Sequence, residues 1–219
     1  MKCDKHTVLL YAVTDRAWVG KQTLYQQIEA ALQNGVTCVQ LREKTLDEEA
    51  FAREAAEIGE LCRRYGVPLI INDNVELALR CGADGVHVGQ EDMEAAAVRK
   101  RVGDGMIVGV SAHNVAEAMR AEACGADYLG VGAVFGSATK TNVCDMTVET
   151  LRAIRDAVKI PVVAIGGINE KNIGRLHGSG VDGVAVVSAI FAAEDPGAAA
   201  ARLRKLSEEM VKSGGKGSE

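Results

Sequence analysis

The sequence has 219 residues, of which 47% are hydrophobic, so it can bury one large core. The formal net charge is −5, and the 30 acidic and 25 basic residues are spread along the chain, which excludes a long basic surface for nucleic acid or an anionic membrane. No apolar stretch approaches the ~20 residues of a membrane span, and the N-terminal residues lack the pattern of a signal peptide.

Eight short apolar runs are predicted to be strands. Four of them follow a helix-stopping glycine, at Gly35, Gly82, Gly125 and Gly180. When the residues around these glycines are included, the predicted strand segments in chain order are 8–13, 34–40, 68–71, 81–88, 106–110, 124–131, 161–165 and 179–186. Each is followed by a segment that can be helical, and the examples with the most regular apolar spacing are 24–32, 46–64, 115–123, 148–158 and 198–211.

A strand–helix unit repeated eight times predicts a TIM (β/α)8 barrel, which is an α/β fold. An open doubly wound sheet is the alternative, and the repeated glycine-aspartate openings favour the barrel. We expect one domain over residues 1–212 and a disordered polar tail at 213–219. The six cysteines include no CxxC pair, which predicts reduced thiols and a cytoplasmic location.

The second predicted strand leads into a cluster of polar residues. In such barrels the active site lies at the C-terminal ends of the strands. The strand period places Gln40, Arg42 and Lys44 on one side. A planar guanidinium and a compact ammonium suit an anion with several oxygens. The alternative is a solvated strand end at which Glu43 neutralises its neighbours.

Two carboxylates follow the third and fourth strands. Because adjacent parallel strands lie ~4.8 Å apart, Asp73 and Asp92 can approach a common point at the barrel mouth. Few oxygen ligands, with room for water and phosphate, describe a Mg²⁺ site. The alternative is that both aspartates cap the helices that follow them. His87 lies within the fourth strand and is interpreted as an interior histidine with its hydrogen bonds satisfied.

The remaining strands add polar groups and glycines. Ser111 and His113 follow the fifth strand, and the sixth runs into a polar loop at 130–142 that can fold over a ligand or be merely flexible. Gly166 and Gly167 would let backbone N–H groups approach a phosphate, and a helix start after the eighth strand would add its positive dipole end. Tight turns are the alternative reason for the paired glycines.

Taken together, these motifs resemble those of the thiamine phosphate synthase family, in order, from about Leu10 to Phe191. The motifs are Tyr11-Ala12-Val13-Thr14-Asp15-Arg16, Gln40-Leu41-Arg42-Glu43-Lys44, Ile71-Asn72-Asp73, Gly85-Val86-His87-Val88-Gly89-Gln90-Glu91-Asp92, Gly109-Val110-Ser111 and Ala164-Ile165-Gly166-Gly167-Ile168. The resemblance implies that 4-amino-2-methyl-5-hydroxymethylpyrimidine diphosphate is joined to 4-methyl-5-(2-phosphoethyl)thiazole, giving thiamine monophosphate and pyrophosphate.

The resemblance also implies roles for particular residues. Those implied to hold the pyrimidine and its diphosphate are Gln40, Arg42, Lys44 and Asn72. Those implied to hold Mg²⁺ are Asp73 and Asp92, and those implied to contact the departing pyrophosphate are Ser111 and Lys140. Those implied to hold the thiazole phosphate are Ser137, Thr139 and backbone groups at Gly167, Val187 and Ser188. Of these, Arg42, Lys44, Ser111 and Lys140 are the expected catalytic residues.

The loop after the sixth strand departs from the family pattern Gly-Pro-x-Phe-Pro-Thr-x-Thr-Lys. Ala133 and Gly136 replace both prolines, and Ser137 replaces the first threonine. Ser137 keeps a hydroxyl that can contact phosphate. Losing two prolines should loosen the open loop and raise the cost of closing it by ~1 kcal/mol.

The implied reaction needs no protein nucleophile, and the sequence offers no Ser-His-Asp or Cys-His arrangement. Our hypothesis is a Mg²⁺-assisted dissociative substitution, in which the pyrimidine C–O bond breaks early. A related thiazole tautomerase and a non-catalytic sensor of phosphate ligands are alternatives. The expected partners are the two small phosphorylated substrates and a possible second copy of the chain.

Overall fold

The computed structural model of the chain describes residues 3–90, 94–136 and 146–212. The strands are β1 Leu10–Val13, β2 Cys38–Leu41, β3 Leu69–Asn72, β4 Gly85–Val88, β5 Ile107–Ala112, β6 Tyr128–Val131, β7 Val162–Ile165 and β8 Gly183–Val186. The helices are α1 Leu24–Gln33, α2 Glu48–Tyr65, α3 Val75–Cys81, α4 Ala95–Val102, α5 Val115–Ala123, α6 Val148–Ala157, α7 Ser188–Phe191 and α8 Pro196–Lys212. Two 3₁₀ helices, Arg16–Trp18 and Ile173–Leu176, complete the set within these ranges.

The eight strands form a closed parallel barrel in chain order. Closure is made by β1 against β8, with Leu10 opposite Val184 and Ala12 opposite Val186. The predicted barrel is therefore confirmed, and the open doubly wound sheet is wrong. In the described part of the chain, no helix has the length and apolar character needed to cross a membrane.

The repeated strand openings tie neighbouring strands together at the bottom of the barrel. All four opening glycines have positive φ, namely Gly35, Gly82, Gly125 and Gly180, as expected where a helix ends. The residue two positions after each glycine lies just before an even-numbered strand. Its side chain accepts a hydrogen bond from a backbone N–H near the start of the strand before, that is β1, β3, β5 or β7. These pairs are Thr37 with Leu10, Asp84 with Leu69, Asp127 with Val108 and Asp182 with Val162, at 2.8–3.0 Å. The repeat thus satisfies donors at strand ends that would otherwise be unpaired.

Two hydrophobic layers stabilise the barrel. The larger one lies between the strands and the surrounding helices. The smaller one fills the barrel interior and includes Tyr11, Ile70 and Tyr128. Glycine makes room for the interior rings, because a Cβ at Gly109 would lie 2.1 Å from Cζ of Tyr128. The missing side chains at Gly109 and Gly130 therefore leave the space that the rings of Tyr128 and His87 occupy in the barrel interior.

The segment after β7 differs from the predicted helical pattern. It forms only the four-residue 3₁₀ helix Ile173–Leu176. Gly174 lies within this turn and Gly178 follows it at φ 75, and glycine disfavours a longer α-helix. The cysteines agree with the prediction, since Cys3, Cys38, Cys62, Cys81 and Cys124 are free thiols. Cys144 and the predicted tail at 213–219 lie outside the described residues.

Candidate active site

A cavity of about 200 Å³ opens at the C-terminal ends of the strands. Its lining includes Tyr11, Thr14, Gln40, Arg42, Asn72, His87, Ser111, Tyr128, Gly130, Ile165 and Val187. Three residues predicted for the pyrimidine diphosphate, Gln40, Arg42 and Asn72, therefore meet around one space. Ser111, which was predicted for the departing pyrophosphate, lines the same space. This is the face on which TIM barrels build their active sites.

Arg42 is held at the cavity by β1. Its backbone N–H donates to Oγ1 of the buried Thr14 at 3.0 Å, and that hydroxyl lies 3.4 Å from the carbonyl oxygen of Arg42. Thr14 belongs to a motif of the sequence, but no role was predicted for it. Its two contacts fix the backbone from which the Arg42 guanidinium extends, so the cation is aimed by a neighbouring strand.

Lys44 does not share the central cavity with Gln40 and Arg42. Strand β2 ends at Leu41, so strand alternation cannot place a residue three positions later. Lys44 is exposed and lines a shallow depression beside the cavity, together with Asp15 and Arg42. The prediction that all three side chains lie on one side is therefore wrong for Lys44, although Arg42 borders both spaces.

Glu43 does not neutralise its two cationic neighbours. Its Oε2 accepts a hydrogen bond from Nε of Arg16 at 2.5 Å, and Arg16 also binds Glu54. Oε1 of Glu43 accepts the backbone N–H groups of Lys44 and Thr45 at 2.7 and 2.6 Å. Among the described residues, no carboxylate pairs with Arg42 or Lys44. Positive charge at the mouth is thus available to an anion.

The same contacts change the acidity of Glu43. Burial acts to raise its pKa, but the hydrogen bonds from Arg16, Thr45 and the backbone of Lys44 outweigh burial and lower the pKa from 4.5 to about 2. The carboxylate is therefore ionised at every pH of interest. It holds the turn after β2 in the shape that presents Arg42 and Lys44.

Asp73 lies at the end of β3 in an unusual backbone conformation. Its φ is 62, in the left-handed region that few residues other than glycine adopt. Oδ2 of Asp73 accepts from Nδ2 of Asn72 at 2.6 Å. The capping alternative is wrong for Asp73, because Asn74 caps α3 through its contact with the N–H of Leu77. A non-glycine residue held in this region is consistent with a role for its side chain at the site.

Part of the predicted metal site can be placed. Within the described ranges, no cluster of three metal-binding side chains is present. Mg²⁺ in phosphate-transferring sites usually takes one or two carboxylates, with substrate oxygens and water completing the shell. The exposed carboxylate of Asp73 at the mouth fits that donor chemistry. Asp92, the other predicted ligand, lies outside the described residues.

A chain of buried polar side chains crosses the barrel interior beneath the cavity. Nε2 of Gln40 lies 3.0 Å from the Tyr11 hydroxyl, which lies 2.8 Å from that of Tyr128. The Tyr128 hydroxyl is 2.9 Å from Nδ1 of His87, whose Nε2 is 3.0 Å from Oγ of Ser111. The interpretation of His87 as a satisfied interior histidine is confirmed. The two tyrosines were not predicted for the site, although aromatic residues in interior strands are a signal in a chain with only four tyrosines.

On the opposite side, the paired glycines have a structural reason to be glycine. Gly166 and Gly167 have φ of 108 and 64. A Cβ at Gly166 would lie 2.7 Å from Cα of Ala133, and one at Gly167 would lie 2.5 Å from the carbonyl oxygen of Phe135. The glycines therefore let the start of the loop after β6 pack against the end of β7. Their predicted approach to a phosphate stays a prediction.

The other predicted residues divide into three groups. Val187 lines the cavity and Ser188 begins α7, and their contact with a phosphate stays a prediction. His113 does not line the cavity, because its Nδ1 pairs with Glu117 at 2.9 Å and its side chain is 58% exposed. The predicted ligands Ser137, Thr139 and Lys140 lie outside the described residues.

A larger cavity, about 790 Å³, opens at the other end of the barrel. Its charged residues are partly paired with each other, since Asp182 contacts Lys5 at 2.9 Å and Arg155 at 3.4 Å. This is the face that serves stability in TIM barrels. Position, and not size, therefore identifies the smaller cavity as the candidate active site.

Comparison with known proteins shows what the chain is similar to. A family model described as thiamine monophosphate synthase matches residues 10–190. The chain is 50% identical over 198 residues to the thiamine-phosphate synthase of Chloroflexus aurantiacus, covering 90% of the chain and 91% of the relative. It is 47% identical over 197 residues to that of Ruminiclostridium cellulolyticum, with 90% and 94% covered. A solved structure of thiamine phosphate pyrophosphorylase from Pyrococcus furiosus matches with a TM-score of 0.86 at 38% identity, covering 94% of this chain and 98% of that one.

Proposed function

The chain belongs to the thiamine monophosphate synthase family, and on that premise we propose that it transfers the aminopyrimidine group from its diphosphate to the nitrogen of the thiazole phosphate. The products are thiamine monophosphate and pyrophosphate. The observation that carries the proposal is the cavity at the barrel mouth, where Gln40, Arg42, Asn72 and Ser111 converge.

We assign the cavity to the pyrimidine and its border to the diphosphate. The space of about 200 Å³ has Gln40 and Asn72 in its wall, and their amides offer both donors and acceptors to a ring with nitrogen and amino groups. Arg42 borders both this cavity and the depression at Lys44. A ring in the first space would therefore direct its diphosphate toward two cations that have no carboxylate partner among the described residues.

Asp73, with Asp92, would hold Mg²⁺ against the diphosphate oxygens. The metal would neutralise charge that develops on the leaving pyrophosphate. Asn72 orients the Asp73 carboxylate through its 2.6 Å contact with Oδ2. Arg42 would bind the same diphosphate from the β2 side, so the polyanion is held between two strand ends.

The thiazole phosphate would bind across the mouth, near the ends of β7 and β8. The proposed ligands are backbone groups at Gly167, Val187 and Ser188, with Ser137, Thr139 and Lys140 from the loop after β6. Val187 already lines the cavity, so a thiazole held there would face the pyrimidine. Two anions at opposite sides of one mouth suit a two-substrate transfer.

The chemical step needs no protein base. The C–O bond electrons leave with pyrophosphate, and the ring-stabilised carbocation then accepts the lone pair of the thiazole nitrogen. Arg42, Lys44 and Ser111 would stabilise the negative charge on the leaving group through fixed donors.

The free thiols among the described cysteines also fit the expected cytoplasmic location.

A coupled assay tests the proposal. Purified protein is mixed with both substrates and Mg²⁺, and pyrophosphate and thiamine monophosphate are measured together. We expect equal amounts of both products, and neither product when the thiazole phosphate is omitted. Isomerisation of a thiazole phosphate without pyrophosphate release would instead indicate the tautomerase, and ligand binding without any product would indicate the sensor. Either result would contradict the proposal.

A further inference from the structure

The buried polar side chains from Gln40 to Ser111 form a continuous series of hydrogen bonds. We propose that Tyr11 and Tyr128 are positioning residues for the transfer reaction, holding His87 as the Nε2–H tautomer so that Ser111 presents its hydroxyl proton to the cavity. The inference rests on the proposed function for its chemical consequence. The direction of the hydrogen bonds rests on the structure alone.

The direction is set at Gln40, because an amide nitrogen only donates. Nε2 of Gln40 donates to the Tyr11 oxygen at 3.0 Å, which leaves the Tyr11 proton for the hydroxyl of Tyr128 at 2.8 Å. The Tyr128 proton then points to Nδ1 of His87 at 2.9 Å. Each hydroxyl thus accepts on one side and donates on the other.

The imidazole passes this direction on to Ser111. A neutral histidine accepts at one nitrogen and donates at the other. With Nδ1 accepting from Tyr128, Nε2 carries the proton and donates to Oγ of Ser111 at 3.0 Å. The Ser111 oxygen is therefore the acceptor in this contact. Its own proton is directed elsewhere, and Ser111 lines the cavity.

Packing holds the hydrogen-bonded side chains in place and keeps the two tyrosine hydroxyls protonated. Tyr11 and Tyr128 are each 1% exposed, with ring centroids 5.8 Å apart in an edge-to-face arrangement. Burial, assisted by the neighbouring phenol, raises the pKa of Tyr11 well above 10, and burial likewise raises the pKa of Tyr128. A Cβ at Gly109 would overlap the Tyr128 ring, and one at Gly130 would lie 3.0 Å from Cε1 of His87. Both rings therefore pack closely against the backbone of a glycine.

The direction matters for a leaving group that gains negative charge. A hydroxyl that donates to a pyrophosphate oxygen stabilises the transition state, whereas a hydroxyl that presents its lone pair does not. Gln40 uses one N–H of its amide for the hydrogen bond to Tyr11, which leaves the other N–H and the carbonyl oxygen for the substrate. We therefore expect the two tyrosines to affect different kinetic constants.

The first experiment measures the tautomer directly, without turnover. The protein is labelled with ¹⁵N-histidine, and the His87 signals are assigned by their loss in a His87→Gln variant. At about pH 8, where an ordinary histidine is neutral, we expect protonated Nε2 and unprotonated Nδ1 in the wild type. In Tyr128→Phe this preference should weaken. A wild-type protein with protonated Nδ1 would mean that the hydrogen bonds between Gln40 and Ser111 do not run in the proposed direction, and it would overturn the proposal.

The second experiment separates the tyrosines kinetically. Tyr128→Phe should lower kcat about tenfold, a fraction of the ~10²–10³-fold that loss of a direct donor costs, with the KM for the thiazole phosphate unchanged. Tyr11→Phe should chiefly raise the KM for the pyrimidine diphosphate. Tyr65→Phe, in which the lost hydroxyl contacts only Gln33 among the described residues, is the matched control and should behave as wild type.

The outcomes distinguish the two proposals. If folded Tyr128→Phe keeps wild-type kcat, the positioning role is wrong while the proposed function stands. If the wild type forms no thiamine monophosphate, the proposed function fails, and the labelling experiment still decides the direction of the chain. If a tyrosine variant does not fold, the wild-type histidine signals alone confirm or overturn the assigned tautomer.

Discussion

Replacing Glu43 by glutamine tests the idea that one buried carboxylate shapes the turn after β2. Only 3% of the Glu43 side chain is exposed, and it lies 2.5 Å from Nε of Arg16. It also accepts the backbone N–H groups of Lys44 and Thr45. Glutamine keeps the size of the side chain but removes the charge and turns one of the two acceptor oxygens into a donor, so the variant removes the charge together with one set of these hydrogen bonds.

The magnitude follows from the shifted acidity of Glu43. A pKa lowered from 4.5 to about 2 corresponds to about 3 kcal/mol of stability at ~1.4 kcal/mol per unit. Because the folded-state pKa is the lower one, this stability is present above pH 4.5 and is lost as the pH falls toward 2. Through this group the wild type should lose about 1 kcal/mol by pH 4 and about 2 kcal/mol by pH 3. The variant should be less stable by roughly 2–3 kcal/mol at pH 7.

Urea unfolding of both proteins at pH 7, 5 and 4 measures these differences. The gap in unfolding free energy between wild type and Glu43→Gln should narrow as the pH falls. Glu49→Gln is the control, because its side chain is 87% exposed and lies 3.9 Å from Arg53. An exposed pair of this kind contributes ~0–1 kcal/mol. Equal stability of Glu43→Gln and wild type at pH 7, or a gap that does not change with pH, would refute the reasoning.

Three further predictions follow from other parts of the chain. Gly109→Ala should destabilise the protein by about 1–3 kcal/mol in urea unfolding, because the added Cβ would overlap the Tyr128 ring; unchanged stability would contradict the packing. Ala133→Pro with Gly136→Pro should lower the KM for the thiazole phosphate about fivefold, from ~1 kcal/mol of loop entropy, and an unchanged KM would count against this explanation. Burial raises the pKa of Cys62 to about 12, so a thiol reagent at pH 8 should label it only after unfolding; rapid labelling of the native protein would contradict this.

The topology was predictable because the same short sequence pattern opens every second strand. Gly35, Gly82 and Gly125 lie at the end of a helix. The residue two positions after each opening glycine caps the neighbouring strand, as Asp84 does for Leu69 at 2.9 Å. These contacts join residues 15–27 positions apart, and the opening pattern that supplies them recurs four times. The candidate residues Gln40, Arg42, Asn72 and Ser111 could be placed at the barrel mouth from the sequence, because each lies near or just after the C-terminal end of a strand.

The rest depends on contacts that a sequence pattern does not contain. Tyr11 and Tyr128 are 117 residues apart in the chain, and their contact requires the barrel to close with a particular register. Lys44 was misplaced because the strand ends at Leu41, and the end of a strand is poorly marked in sequence. The partner of Glu43 could not be read from its neighbours, because Arg16 reaches it from the loop after another strand.

The proposed reaction requires the mouth formed by the ends of β2 and β3 to bind the diphosphate and Mg²⁺. The turnover of Arg42→Ala and Asp73→Ala with saturating Mg²⁺ and both substrates tests this requirement. Arg53→Ala, on the exposed face of α2, serves as the control. We expect each site variant to lose about 100-fold or more in thiamine monophosphate formation, with the control unchanged. Near-normal turnover by either site variant would contradict it.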